Sequence, residues 1–180
     1  MFCEQFVRKN EPTICQGSSM NQVPFHGDVR ITEHCAYCAG GTTTRDHVPS
    51  RVLLDEPYPA NLPTVPSCIR CNEGASTDEA YAACLIDCAL TASTRLPRRE
   101  KIGRILSEKP TLAGRLARQW KLTADGDAML AMEGERLRRV VRKLARGHTV
   151  FELNEAQYGE TGEAYLRADC GSYIRFKTCI

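Results

Sequence analysis

Cys35-Ala36-Tyr37-Cys38 and Cys68-Ile69-Arg70-Cys71-Asn72 bracket the stretch that decides the reading of this chain. The two C-x-x-C pairs are separated by 29 residues, and together they offer the four thiolates that tetrahedral zinc prefers. A single pair of this kind carries little information; two with the same spacing carry much more. The alternatives are two unrelated pairs of buried or disulfide-bonded cysteines, or a redox pair. Neither pair sits in the alternating strand and helix pattern of a thioredoxin-type site. Zinc here would replace part of the core that a small hairpin cannot build.

From Cys35 onward, CAYCAGGTTTRDHVPS over residues 35–50 reads as a cysteine turn, a reversal at Gly40-Gly41 and a short strand rich in threonine, ended by Pro49. A loop with Pro57, Pro59 and Pro63 follows, and Thr64-Val65 supplies a brief return strand. Beyond Cys71 the alanine-rich run to about Thr91 predicts a helix, with Ser76 or Thr77 as its cap. Cys84 and Cys88 lie one turn apart on its apolar face and read as core packing rather than as a second metal site. Cys3, Cys15, Cys170 and Cys179 read as ordinary thiols.

Between the knuckles stands Arg45-Asp46-His47-Val48-Pro49, and Asn72 follows the last cysteine directly. A carboxylate, an imidazole and an amide near a zinc-stapled hairpin are the groups that metal-assisted phosphodiester cleavage needs. A hard divalent ion such as Mg2+ takes oxygen ligands, which Asp46 and the Asn72 carbonyl would supply. His47 is the side chain there able to accept a proton from water near neutral pH. The alternative is an ordinary polar pair at a strand end. Successive strand residues face opposite ways, so Asp46 and His47 would share a site only if the strand ends or distorts at Pro49.

The order C-x-x-C, D-H-x-P, an N-L before V-P-x-C, then C-x-x-C-N resembles the zinc-containing branch of the HNH endonucleases over Cys35 to about Tyr81. The resemblance implies an α+β fold with a zinc-stapled ββα-metal (His-Me finger) core. It further implies that His47 is the general base, that Asp46 and Asn72 hold the catalytic ion, and that Asn61 is the middle asparagine that orients the base. Its products would carry 5′-phosphate and 3′-hydroxyl ends. A lysine frequent in the family after C-x-x-C-N is missing; NEGASTDE stands there, with Glu73, Asp78 and Glu79 making an acidic helix start. Those acids suit a helix N-terminus, and the alternative is Glu79 as a further metal ligand.

The whole chain has 180 residues and a formal net charge of +2. That small total hides an asymmetry: the local balance is −5 over residues 1–94, +9 over 95–146 and −2 over 147–180. The expected organisation is an N-terminal arm (1–31), a nuclease core with zinc knuckles (32–94), a basic helical extension (95–147) and a short β-rich tail (148–180). In the extension, helices are expected over roughly 98–108, through Leu112, Leu116 and Trp120, and along Leu137, Val140, Val141 and Leu144 until Gly147 stops the last. In the tail HTVFEL, EAYLRA and SYIRFK read as strands.

The last helix carries Arg136, Arg138, Arg139, Arg142, Lys143 and Arg146, six basic residues in eleven positions. With Arg45 they are the candidate contacts to nucleic-acid phosphates; a solvated face is the alternative. The expected partner is therefore nucleic acid, in the first instance double-stranded DNA, with structural Zn2+ and catalytic Mg2+ or a similar ion. Readings left open are a zinc-stabilised nucleic-acid-binding module without cleavage, and RNA as the substrate. No apolar run approaches the roughly 20 residues that span a bilayer, and no secretory signal opens the chain, so a cytoplasmic location is expected.

Overall fold

The computed structural model describes residues 32–93, 97–122, 124, 128–159 and 173–176. The N-terminal arm, EAYLRA and Cys3, Cys15, Cys170 and Cys179 lie outside the described residues. Within them the protein is a mixed α+β fold with four α-helices and two small antiparallel sheets.

The first sheet pairs β1 (Thr44–His47) with β2 (Thr64–Ser67), in a register that sets Asp46 opposite Val65 and His47 opposite Thr64. A one-turn 3-10 helix, Arg51–Leu53, lies in the connection. Next comes α1 (Ile69–Thr91). It starts well before the Ser76 or Thr77 expected as its cap. Cys68 caps it instead, its carbonyl accepting the amides of Cys71 and Asn72 at 3.1 and 3.0 Å. The second knuckle is thus the first turn of the helix, and Ser76 Oγ merely donates to the Glu73 carbonyl at 2.7 Å. Ala92, in the left-handed region at φ 48°, ends it.

Then follow α2 (Glu100–Glu108) and α3 (Pro110–Arg118), with Pro110 at the helix start, where its missing N–H is harmless. The expected third helix stops short of Trp120, which opens β3 (Trp120–Leu122). This strand pairs with β4 (Ala128–Ala131), and β4 with β5 (Tyr173–Phe176), so SYIRFK does contain a strand.

The basic helix, α4 (Gly134–Leu153), passes through Gly147 and absorbs HTVFEL, which is helical rather than a strand. Glycine in a helix costs about 1 kcal/mol relative to alanine; here close packing against Val48 and Tyr37 explains its presence. The expected boundary at 147/148 therefore falls inside a helix. Val141, placed on the apolar stripe by its spacing, is 47% exposed, while Val140 and Val150 are buried.

Two apolar clusters result. The larger joins α1 (Tyr81, Cys84, Leu85, Cys88) to Ile102, Leu106, Leu116 and Leu130, and so accounts for Cys84 and Cys88 as packing. The smaller seats α4 on the hairpin, through Val150 against Cys35, Tyr37, Val48 and Val65. Between α1 and α2 a buried ion pair adds direction: Arg99 Nε meets Asp87 Oδ1 at 3.1 Å. Arg99 also donates to the carbonyls of Val52, Leu53 and Ala83. That fan of bonds ties the connection after β1 to the helix.

Candidate metal centre and the polar groups around it

The four cysteines converge. One ligand atom from each of Cys35, Cys38, Cys68 and Cys71 lies within 4.8 Å of the others, the one such set of His, Cys, Asp or Glu among the described residues. Cys38 Sγ and Cys68 Sγ are 3.8 Å apart, close to the roughly 3.8 Å edge of a tetrahedron with 2.3 Å zinc–sulfur bonds. The chain folds this way because each pair is held locally. Cys35 N–H donates to the Gly40 carbonyl at 2.7 Å and Ala36 N–H to Pro66 at 2.9 Å, hanging the first knuckle on β2. Ala39, at φ 61°, turns the chain tightly after Cys38.

All four are free thiols, which disposes of disulfide pairing among them. Burial raises the Cys35 thiol, but hydrogen bonds from the backbone of Cys68, Tyr37 and Cys38 and from the Cys38 side chain outweigh it and bring the pKa down to about 7. Cys71 is pushed up, first by burial and then by the neighbouring thiols. Such a crowd of sulfurs is relieved by a cation that displaces their protons. The donor set fits a metal ion such as zinc.

The polar residues on β1 separate by face. His47 is half-buried, and its pKa lies below the ordinary histidine value, through burial first and then the nearby charge of Arg51, against the opposing pull of Asp46. Asp46 turns the other way and is 6% exposed. The strand runs regularly through His47, so the distortion that would bring both side chains to one site is not present.

Asp46 instead meets α4. Lys143 Nζ stands 2.6 Å from Asp46 Oδ2 and donates to Glu79 Oε1 at 2.7 Å. The first contact is a charge contact without hydrogen-bond alignment, for no donor is aligned on Asp46 Oδ2. Asn72 Nδ2 donates to the Arg45 carbonyl at 3.3 Å. Thus Asp46 and Asn72, the expected ligands of a catalytic ion, face an ammonium and a backbone carbonyl, and as arranged they do not fit a divalent ion. Asn61 is exposed in the turn closed by Leu62 N–H to Pro59 at 3.2 Å. It makes no side-chain hydrogen bond among the described residues.

The candidate phosphate contacts are largely committed elsewhere. Arg45 donates across the hairpin to the Thr64 hydroxyl and carbonyl at 3.0 and 3.1 Å. Arg136 and Arg139 each reach Asp78 at 2.6 Å, and the Arg136 guanidinium lies 4.7 Å from the centre of the Tyr81 ring. Arg138 pairs with Glu135. Arg146 donates to the carbonyls of Tyr37, Tyr158 and Gly159 at 3.0, 3.0 and 3.1 Å. Arg142 alone of the six has no partner among the described residues; it lines a cleft of about 230 Å3 beside Cys71 and Ala75.

Because α1 begins at Ile69, Asp78 and Glu79 stand in its third turn, beyond the reach of the helix-end dipole. Their role is to receive α4. The opposite charge balances of residues 1–94 and 95–146 are in keeping with these pairs, though they do not specify them.

Compared with protein-family models, curated proteins and solved structures, the chain matches none. Fold and site together define an α+β protein with a four-cysteine cluster able to hold a metal ion such as zinc. Among the described residues no helix is long and apolar enough to cross a membrane.

Proposed function

We propose that the protein is an endonuclease of the HNH kind that hydrolyses nucleic-acid phosphodiester bonds, with DNA as the first candidate substrate. One observation carries the reading: His47, whose pKa burial and Arg51 hold below the ordinary histidine value, stands on a short hairpin beside the four-cysteine cluster that spans the start of the following helix.

A neutral imidazole at a strand end is suited to take a proton from water. The water oxygen then bonds to phosphorus in line with the departing 3′ oxygen, the bond to that oxygen breaks, and a solvent proton completes the 3′-hydroxyl. The zinc ion would be structural, saturated by four thiolates with no open position. Arg51, exposed and close enough to influence His47, would offset charge on the phosphate.

A second reading, a zinc-stabilised nucleic-acid-binding module without cleavage, is favoured by the pairing of Asp46 with Lys143. Zinc-loaded protein incubated with supercoiled plasmid and, separately, with structured RNA decides between them. Nicked or linear plasmid supports the endonuclease reading. Binding of either substrate without any cleavage leaves the module, and RNA cleavage alone moves the substrate.

A further inference from the structure

We infer that the ammonium of Lys143 is the resident cation of a buried carboxylate pair, Asp46 and Glu79, and excludes a divalent ion from it. Three elements meet at this point: Asp46 comes from β1, Glu79 from α1 and Lys143 from α4. Asp46 is 6% and Glu79 4% exposed, and carboxylates so far out of water need a cation. Among the described residues Lys143 is the one cation that meets either, at 2.6 and 2.7 Å. The neighbouring Arg136 and Arg139 are spent on Asp78.

The ammonium is held in place from behind as well. The face of Tyr37 lies 5.3 Å from Lys143 Nζ, a distance at which the ring attracts a cation. One turn further along α4, Gly147 is packed so closely on Val48 that no side chain fits between them. Lys143 therefore cannot leave the carboxylates by a helix shift without unseating α4 from the hairpin.

Its position between two carboxylate oxygens is where an oxygen-ligated ion would bind. An ammonium offers charge and hydrogen bonds but no open coordination position. The assignment deepens the endonuclease reading, on which it rests for one consequence: hydrolysis at His47 proceeds without an ion on Asp46. The cation assignment itself is read without nucleic acid, so either can fail alone.

The test is Mn2+ binding to zinc-loaded, full-length protein, followed by the electron paramagnetic resonance of free Mn2+. Wild type is expected to leave Mn2+ free. Lys143→Met, which keeps the apolar stem and removes the charge, is expected to bind Mn2+ at least about tenfold more tightly, the factor for a site otherwise occupied nine-tenths of the time or more. Adding Glu79→Gln should abolish the gain. Acylation of wild-type lysines, mapped by mass spectrometry, needs no variant and decides the matter if Lys143→Met does not fold: Lys143 should stay protected with and without Mn2+. Mn2+ that renders Lys143 reactive, or a folded Lys143→Met that binds no better than wild type, overturns the inference.

Discussion

Gly147 and Val48 touch across the seam between α4 and the hairpin: a Cβ on Gly147 would lie 2.8 Å from Val48 Cγ2 and 3.2 Å from Cγ1. Val48 directly follows His47, is 2% exposed and is stiff at its branched carbon. Gly147→Ala gains about 1 kcal/mol of helix propensity but forces this contact open, and overpacking of this kind costs about 1–3 kcal/mol. The net expectation is a loss of up to about 2 kcal/mol, measured by denaturant unfolding. Val48→Ala in the same chain should return part of it, giving a coupling energy of at least about 0.5 kcal/mol. Strict additivity would show that the two residues do not meet.

The four-cysteine cluster predicts one zinc per chain by elemental analysis of the purified protein. Cys68→Ser should lower that content and the melting temperature together, because it removes one of the four thiols while leaving the carbonyl that caps α1 in place. Chelation should unfold the hairpin, since binding free energy in such sites is folding free energy. Wild-type protein with no zinc and an unchanged melting temperature after chelation would remove the centre.

His47 should titrate below the ordinary histidine value of 6.5, read from its ring proton shifts by NMR. Arg51→Gln removes the second cause of the shift and should raise the midpoint without restoring it fully, because burial remains. The unfolded chain takes up this proton near 6.5 and the folded one only at lower pH. The contribution of His47 to stability is thus complete above 6.5 and is lost as pH falls through its lower folded-state value. A midpoint above 6.5 would contradict the environment described.

On α4 the arginines should separate by partner. Arg142, free among the described residues, is the one expected to contact phosphate: Arg142→Glu should weaken DNA binding and reduce the slope of log affinity against log salt by about one. Arg136, locked between Asp78 and the Tyr81 ring, should behave differently. Arg136→Ala should chiefly lower the unfolding midpoint. If both act alike on the salt slope, α4 engages nucleic acid with its whole face rather than at Arg142.

Local signals in the sequence reached different depths. The cysteine spacing located the four-cysteine cluster, because residues able to ligate one ion leave a pattern that survives without context. Cys84 and Cys88 were legible as core for the same reason that Leu85 was: helical spacing on an apolar face. The start of α1 was not, since its cap is a cysteine whose carbonyl, rather than its side chain, closes the first turn. Nor was the length of α4, because a glycine that usually ends a helix is here required by contact with Val48. The fate of Asp46 was least legible. Its partner lies nearly a hundred positions away, and only the opposite local charge balances hinted that α1 and α4 would meet.

The proposed hydrolysis turns on His47 as a base, and chemical rescue tests that role without any further substitution. Plasmid nicking is measured with zinc-loaded wild type, with His47→Ala, and with His47→Ala supplied with imidazole. The expected outcome is cleavage by wild type, a loss of about 10²–10⁴-fold in the variant, the range that a positioned base contributes, and partial recovery with imidazole whose rate follows its unprotonated fraction. Full-strength cleavage by His47→Ala would contradict it.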